Sequence, residues 1–438
     1  MRTLLVNPWI YDFAAYDLWA KPLGFLYIAQ IMKDSGWDIE FIDLLDRNHP
    51  AIKSRFHKTE NFGCGHYFAE EIEKPQALKS TGIKRKYKRY GLPPDVFTAL
   101  CADVHKRGKP QSIFVSSCMT YWYPGVIDTI KILKNVFRDV PVVLGGTYAT
   151  LCFEHSKEFS GADFVISGSE IFNSKNFSEY PAPCYDFYQE PDYAAIRTSV
   201  GCTFNCSYCA VSLINNKLIS KTPQKVAAEI EEIYRKRGVR DFAFYDDALL
   251  EHSDTRFKPL FTKLSKHGIN RNICRFHTPN GLHARFIDKE TAGIMYNAGF
   301  VNPRIGFETA DEDVQKKTSA KISKEDFIKA FNNLIQAGYK PGEIIVYVLS
   351  CLPEESDTDL KNTIDFLTKF NVKISIAEFS PVPNTVAFKK AASLTSFPLS
   401  DEPLFQNNSV YALIREDLHQ GKLEKIKLLT RKYNTNLI

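Results

Sequence analysis

Three cysteines are crowded into one short segment of this chain, and their number limits the chemistry they can support. They lie within the eight residues Cys202-Thr-Phe-Asn-Cys206-Ser-Tyr-Cys209. A tetrahedral zinc site or a fully protein-ligated cubane cluster uses four protein ligands. No further Cys or His occurs between Cys209 and His252. The trio therefore favours an iron–sulfur cluster with one iron open to another ligand over a zinc site.

The spacing Cys-x3-Cys-x2-Cys, with Tyr208 directly before the last cysteine, resembles the signature of radical S-adenosylmethionine enzymes. The resemblance implies that Cys202, Cys206 and Cys209 hold a [4Fe-4S] cluster and that Tyr208 lies near the adenine of S-adenosylmethionine. In such enzymes an electron from the cluster cleaves this cofactor, and the resulting 5′-deoxyadenosyl radical abstracts a hydrogen atom. A reductant protein such as flavodoxin or ferredoxin is then an expected partner.

The composition indicates a globular, cytoplasmic protein of more than one domain. At 438 residues the chain exceeds one ordinary domain, and no apolar run is long enough to span a membrane. The first eight residues form a short apolar segment that ends at a proline, not a signal peptide. The other seven cysteines are scattered and predict no disulfide framework. The net charge of +5 is mild, and we interpret the basic run 79–89 as a solvated face and not as a nucleic-acid site.

The first half of the chain alternates short apolar strands with amphipathic helices. Strands are expected over 3–6, 37–42, 112–116, 140–144 and 162–166. This alternation predicts an α/β, doubly wound parallel sheet of the Rossmann-like, cobalamin-binding type over residues 1–175, with an insertion at about 48–110 and a linker at 176–192. Ligands on such sheets bind at the carboxyl ends of the strands.

A second resemblance lies at those strand ends. Their polar and glycine-rich loops occur in the order seen in the cobalamin-binding domains that precede many radical S-adenosylmethionine cores. These loops contain Asn7, Pro22-Leu-Gly24, Asp43, Ser116, Gly145, Gly146, Gly168 and Glu170. The Asp-x-His-x-x-Gly motif that supplies a histidine to cobalt elsewhere is absent, so no lower axial ligand is predicted. Retention of the fold without bound cobalamin is the alternative.

The second half, 193–390, contains six strand–helix units and predicts a partial (β/α)6 barrel, followed by a short tail over 391–438. The functional residues of such barrels lie at the carboxyl ends of the strands. Asp246 and Asp247 follow the second strand, Asn280 the third and Glu308 the fourth. Glu308 resembles the carboxylate that relatives use near the ribose of S-adenosylmethionine. A carboxylate that caps the next helix is the alternative for this residue.

These features predict a radical S-adenosylmethionine enzyme, most simply a cobalamin-dependent methyltransferase that acts at an unactivated carbon. One alternative keeps the radical core without cobalamin and performs a cyclisation, oxidation or rearrangement. A second is a non-catalytic iron–sulfur or metal-binding protein. A metal site at Cys64 and His66 is a further hypothesis, although two residues do not make a site. The sequence does not specify the substrate.

Overall fold

The chain folds into two compact units. The computed structural model describes residues 1–53, 60–168, 177–215, 217–318, 321–415, 417 and 420–437. The first unit consists of Met1–Asp192 with Leu399–Asn407, and the second of Tyr193–Pro398 with Asn408–Ile438. The segment predicted as a short tail, 391–438, thus contributes residues to both units.

A five-stranded parallel sheet forms the centre of the first unit. Its strands are β1 (Arg2–Asn7), β2 (Asp38–Asp43), β3 (Ser112–Val115), β4 (Val142–Leu144) and β5 (Phe164–Val165). Their spatial order is β5-β4-β3-β1-β2, and every neighbouring pair is parallel. The strand order reverses between β1 and β3, which is where sheets of this kind bind ligands. The predicted doubly wound sheet is confirmed.

In the described part of the first unit, seven helices accompany this sheet, and the first of them packs its apolar face against it. The helices are Leu23–Asp34, Pro50–Lys53, Gln76–Ser80, Pro94–Arg107, Tyr123–Val136, Thr147–Leu151 and Phe153–Phe159. Phe25 and Ala29 of the first helix pack against Leu5 of β1, because residues four apart share one face of a helix.

The segment between β2 and β3 contains both additional structure and part of the core fold. Short antiparallel strands pair Ile10–Asp12 with Lys88–Tyr90, Lys88–Tyr90 with Ala69–Glu71, and Tyr16–Asp17 with Gly65–His66. The helix Pro94–Arg107 follows and buries Phe97, Cys101 and Val104. This helix is the crossover from β2 to β3, so the added structure is shorter than the 48–110 expected. The proline pair at its start favours a loop locally, yet proline at the first helical position is well tolerated.

The basic run 79–89 is neutralised in part by nearby glutamates. Its ion pairs join Lys79 to Glu73, Lys86 to Glu71 and Arg89 to Glu70. These contacts accord with a solvated, structured face.

Six parallel strands line the second unit. They are β6 (Ala194–Ile196), β7 (Asp241–Phe244), β8 (Arg275–His277), β9 (Arg304–Glu308), β10 (Ile345–Ser350) and β11 (Lys373–Glu378). They pair in two groups, β6-β7-β8 and β9-β10-β11. Isolated parallel bridges between Phe276 and Phe300, and between Leu282 and Ile305, join the two groups. The predicted partial barrel is confirmed.

Helices follow these strands and several have clear end signals. They are Val211–Ile214, Pro223–Arg237, Phe257–Lys266, Lys289–Ala298, Glu312–Thr318, Lys324–Ala337, Asp357–Thr368, Val386–Ala392, Asn408–Ile414 and Gln420–Thr435. The Thr222 side chain accepts a hydrogen bond from the Lys225 N–H, and Gly238 ends the same helix in the left-handed conformation. No helix in the described part of the chain is long and apolar enough to cross a membrane.

Candidate active site

The three clustered cysteines lie on a loop at the carboxyl end of β6. Residues Ser199–Val200 pair with Ile219–Ser220 as a short antiparallel hairpin, and this loop, residues 201–210, lies between its two strands. Two backbone hydrogen bonds hold the middle of the loop to the barrel. The Ser207 N–H donates to the Thr318 carbonyl at 2.6 Å, and the Ala387 N–H donates to the Ser207 carbonyl at 2.8 Å. All three cysteines are free thiols and partly buried.

Two carboxylates that follow β7 accept hydrogen bonds from the backbone at the start of this loop. The buried Asp246 accepts hydrogen bonds from the backbone N–H groups of Thr198, at 3.0 Å, and Ser199, at 2.7 Å. Asp247 Oδ2 accepts a 2.9 Å bond from the Gly201 N–H. Both aspartates were predicted from the sequence as cofactor-binding residues. The structure places them directly against the backbone that leads into Cys202.

Two further side chains complete this support, and the sequence pattern did not single them out. The Thr203 hydroxyl donates to the carboxylate of Glu251. The guanidinium of Arg256 donates to the Thr198 hydroxyl at 3.1 Å and to the Glu251 carbonyl at 2.8 Å. Glu251 and Arg256 are only 5% and 8% exposed. They lie in the irregular segment after β7, where no periodic signal marks a residue as buried.

Gly201 allows the two strands of the hairpin to approach closely. Its φ is +85°, and a Cβ at this position would lie 2.1 Å from the Lys217 carbonyl oxygen. Any larger residue would therefore both strain the backbone and push the hairpin apart. The loop that carries the cysteines depends on this glycine.

Burial keeps the free thiols protonated. It raises the pKa of Cys202 to about 11, and it also raises the pKa of Cys206 and Cys209. The positive charge of Lys321 opposes this rise at Cys206 and Cys209. A metal that binds these sulfurs must displace their protons.

A buried ion pair lies beside the loop at the carboxyl end of β9. Lys321 Nζ is 2.8 Å from Glu308 Oε1, and both side chains are at most 15% exposed. The same ammonium lies 5.7 Å from the centre of the Tyr208 ring. Glu308 occupies the left-handed region, with φ of +66°, next to an irregularity in the pairing of β9 with β10. Lys321 was missed because it lies outside every regular element.

Asn280 follows β8 and contacts one of the two aspartates beside the cysteine loop. Its Nδ2 donates a 3.0 Å hydrogen bond to the Asp246 carbonyl. Predicted residues from the ends of β7, β8 and β9 thus lie with the cysteine loop at the carboxyl ends of the strands, as expected for a barrel.

A second polar site occupies the switch point of the first unit. The Ser116 hydroxyl donates to Asn7 Oδ1 at 2.9 Å, and Asn7 Nδ2 donates to Asp43 Oδ1 at 2.7 Å. The Tyr188 hydroxyl donates to Asp43 Oδ2 at 2.6 Å. This chain of hydrogen bonds joins the ends of β3, β1 and β2. Tyr188 was not predicted, because it lies in the irregular segment interpreted as a linker.

The glycines after β4 allow a close turn at the same edge. A Cβ at Gly146, whose φ is +101°, would lie 2.2 Å from the Ser117 carbonyl oxygen. A Cβ at Gly145 would lie 3.9 Å from the Ile166 carbonyl oxygen, an ordinary van der Waals contact, so a side chain could fit there. The Gly168 N–H donates to the Thr150 hydroxyl at 2.7 Å. Glu170, also predicted for this site, lies outside the described residues.

Within the described residues, no three His, Cys, Asp or Glu side chains are arranged to hold a single metal ion. The ligands of a cubane cluster bind different irons and need not converge in this way. Cys64 and His66 make separate contacts. Cys64 Sγ donates to the Asn61 carbonyl at 3.0 Å, whereas His66 Nε2 lies 3.3 Å from Glu60 Oε1.

Known proteins resemble this chain in both sequence and fold. Residues 196–367 match the family model of the Radical SAM superfamily. An uncharacterized methyltransferase of Pyrococcus horikoshii is 22% identical over 344 residues, which cover 67% of this chain and 72% of that protein. A ribosomal protein uS12 methylthiotransferase, RimO, of a Hydrogenobaculum species is 21% identical over 71% of this chain and 72% of its own length.

Two solved structures share the fold. The radical S-adenosylmethionine methyltransferase TsrM from Kitasatospora setae superposes with a TM-score of 0.64 at 14% identity, over 91% of this chain and 77% of its own. The cobalamin-dependent radical enzyme OxsB superposes with a TM-score of 0.58 at 12% identity, over 98% of this chain and 61% of its own.

The barrel, its cysteine loop and the family match define the class. Residues 196–367 form a Radical SAM superfamily domain, and the resemblance predicted from Cys202, Cys206 and Cys209 is confirmed. Its first unit has the fold that precedes the barrel in TsrM and OxsB.

Proposed function

We propose that this protein is a cobalamin-dependent radical methyltransferase that acts at an unactivated carbon. Cys202, Cys206 and Cys209 would hold a [4Fe-4S] cluster, and the first unit would hold the corrinoid at the ends of β1, β3 and β4. When bound, the cluster and S-adenosylmethionine supply a carbon-centred radical on the substrate, and the corrinoid supplies the methyl group. The observation that carries the proposal is the three-cysteine loop, which is fastened to the carboxyl end of the barrel by buried carboxylates.

The residues around the loop fit a cluster with an additional polar ligand. The Tyr208 hydroxyl and the Ser207 hydroxyl are buried and have no hydrogen-bond partner within the described residues. A buried polar atom without a partner destabilises a fold unless a ligand satisfies it. S-Adenosylmethionine offers amino, carboxylate and hydroxyl groups that can do so, and Glu308 lies on the same side of the loop.

The chain's own residues would orient the cofactors and not perform the radical step. Asp246 and Asp247 hold the backbone that precedes Cys202 through direct hydrogen bonds. Lys321 places a positive charge beside Cys206 and Cys209, which favours their thiolate forms and offsets the negative charge of a thiolate-ligated cluster.

The polar side chains at the switch point of the first unit support the binding of a ligand with hydrogen-bonding groups at its edge. Ser116 and Asn7 present polar atoms there, and Gly145 leaves space that a side chain would otherwise occupy. Support for methyl transfer comes from relatives: TsrM is described as a methyltransferase, and one TsrM structure contains cobalamin and a [4Fe-4S] cluster. The curated relatives include methyl- and methylthiotransferases.

The test is the metal content of protein purified without oxygen from cells supplied with cobalamin. We expect about four irons and one cobalt per chain, the content of one cubane cluster and one corrinoid. Cys202→Ala should lose the iron, whereas Cys351→Ala, which changes a buried thiol outside the loop, should keep it. Zinc without iron in the reconstituted wild-type protein would contradict the enzyme assignment.

The products then distinguish the reactions. With dithionite as reductant, 5′-deoxyadenosine should form from S-adenosylmethionine. Transfer of an isotopic label from the methyl group of S-adenosylmethionine to a carbon of the substrate would support methyl transfer. Iron without cobalt, together with 5′-deoxyadenosine and no labelled product, would instead indicate a radical reaction in which the first unit binds substrate.

A further inference from the structure

Exposed lysines lie on the elements that contact or flank the cysteine loop. We define the loop face as the exposed residues Thr203, Asn205 and Leu213 together with the exposed lysines Lys217, Lys316, Lys317 and Lys389. All of them belong to the second unit. We propose that this loop face is the docking surface for a small acidic one-electron carrier protein. The proposal rests on the function proposed above, because it requires a cluster on this loop.

The positions of the lysines follow from the backbone hydrogen bonds of the loop. The Ser207 N–H donates to the Thr318 carbonyl, so the last turn of the helix Glu312–Thr318, with Lys316 and Lys317, adjoins the loop. The Ser207 carbonyl accepts from Ala387 in the first turn of Val386–Ala392, the helix that carries Lys389. The acidic residues of the former helix, Glu312 and Asp313, lie in its first turn, away from Thr318.

Lys217 belongs to an open depression that reaches Cys202. The depression has a volume of about 680 Å³. It is lined by Cys202, Thr203, Lys217, Leu218, Ser220, Lys221, Thr222, Pro223, His252, Thr255 and Arg256. No carboxylate contributes to this lining. One of the expected cluster ligands is therefore partly open to a positively charged part of the surface.

The positive charge of the loop-face lysines is available to a partner. The buried cations Lys221 and Arg256 already face Glu229, at 2.7 Å, and Asp246, at 3.6 Å. Within the described part of the chain, none of the four loop-face lysines makes an ion pair. Such clusters attract partners of opposite charge and accelerate their association, most strongly at low ionic strength.

The proposed partner is a one-electron carrier because the loop face adjoins the three cysteines that are expected to hold a redox-active cluster. Cys202, Cys206 and Cys209 would hold the cluster that accepts the electron. The carrier would be oxidised by one electron and the cluster reduced by one in each docking event. Leu213, in the short helix after the loop, is exposed and offers an apolar contact, as in other interfaces with a polar rim.

The test compares charge reversal at the loop face with charge reversal elsewhere on the barrel. The variants are Lys217→Glu and the double change Lys316→Glu with Lys317→Glu. The matched control is Lys266→Glu with Lys329→Glu, two exposed lysines on barrel helices. Lys266 is the last residue of its helix and therefore lies at the opposite end of the strands from the cysteine loop. Thermal melting curves verify that each variant is folded.

The readouts are the affinity for a reduced bacterial flavodoxin and the rate at which it reduces the cluster in stopped-flow absorbance. At low salt we expect the double loop-face variant to lose at least about tenfold in both quantities, with the difference shrinking as salt is added. The control variant should match the wild type. Cluster reduction by dithionite should be equal in all of them, since this small reductant needs no docking surface.

Two results would overturn the proposal in distinguishable ways. Unchanged flavodoxin affinity and rate in both loop-face variants, with normal dithionite reduction, would refute the docking surface and leave the proposed function intact. Failure of the wild-type protein to bind iron after reconstitution would refute the cluster and the docking surface together.

Discussion

Asp247 Oδ2 accepts a 2.9 Å hydrogen bond from the backbone N–H of Gly201, the residue directly before Cys202. The carboxyl end of β7 thereby sets the position of the loop that starts beyond β6. Neighbouring Asp246 binds Thr198 and Ser199 in the same way. Together the two aspartates connect the second barrel strand to the first cysteine of the motif.

Asp247→Ala should loosen the cysteine loop. The change leaves the Gly201 N–H without its acceptor, which costs about 1–3 kcal/mol for a buried donor. We expect the free energy of unfolding in urea to fall by that amount and the iron content after reconstitution to drop. Asp254→Ala, which removes an exposed carboxylate paired with Lys258 in the same segment, is the control and should cost at most about 1 kcal/mol while keeping the iron content. Full iron content in Asp247→Ala would show that the loop does not need this bond.

Gly201→Ala should disrupt the hairpin that frames the loop. An added Cβ would meet the Lys217 carbonyl oxygen at 2.1 Å, and the φ of +85° disfavours alanine as well. Gly238→Ala is a matched control, because its φ is +68° and its Cβ would meet nothing within 4 Å. That control should lose only about 1 kcal/mol of stability. We expect iron binding, measured after reconstitution, to be lost in the first variant and kept in the second.

Glu308→Gln should weaken the binding of S-adenosylmethionine without removing the cluster. The carboxylate lies beside Tyr208 and Lys321, and an amide keeps its shape while removing its negative charge. Loss of one charge-assisted hydrogen bond corresponds to about a tenfold rise in the dissociation constant. Calorimetric titration of the reconstituted protein measures this value, and Glu312→Gln, on the next helix, is the control. An unchanged dissociation constant would place the cofactor away from Glu308.

Glu355→Gln should stabilise the protein increasingly as the pH rises. Glu355 is 5% exposed, and neither of its carboxyl oxygens has a hydrogen-bond partner in the described part of the chain. Burial, reinforced by the charge of Asp359 and opposed by Arg415, raises the pKa of its carboxyl well above the usual range. The native state therefore retains a proton that the unfolded state releases above about pH 4.3, so stability falls with rising pH.

Glutamine in place of Glu355 has no such proton to lose. The gain in free energy of unfolding of Glu355→Gln over the wild type should reach about 1.4 kcal/mol for each pKa unit by which the native carboxyl exceeds the unfolded one. Only units below the pH of the measurement count. Urea denaturation across the acidic to neutral range measures this difference, with Glu158→Gln, an exposed position, as the control. A pH-independent difference between variant and wild type would contradict a buried, protonated Glu355.

Local patterns in the chain were enough to predict its elements and its class. The strands expected over 37–42 and 112–116 are Asp38–Asp43 and Ser112–Val115 in the structure, because apolar patterning is a property of adjacent residues. The three cysteines are also a local signal, since their ligand function depends on short spacing. Cofactor identity and the reaction remain predictions drawn from those residues.

The partners of the site residues depended on contacts between distant parts of the chain. Asp246 and Thr198 are 48 positions apart, and Asp43 and Tyr188 are 145 apart. Lys321 and Glu308 meet although Lys321 precedes its helix and belongs to no periodic pattern. Hydrogen bonds and ion pairs of this kind require a specific approach of side chains in space. Folding alone brings these groups together, because periodicity specifies which face of an element is buried but not which distant residue it meets there.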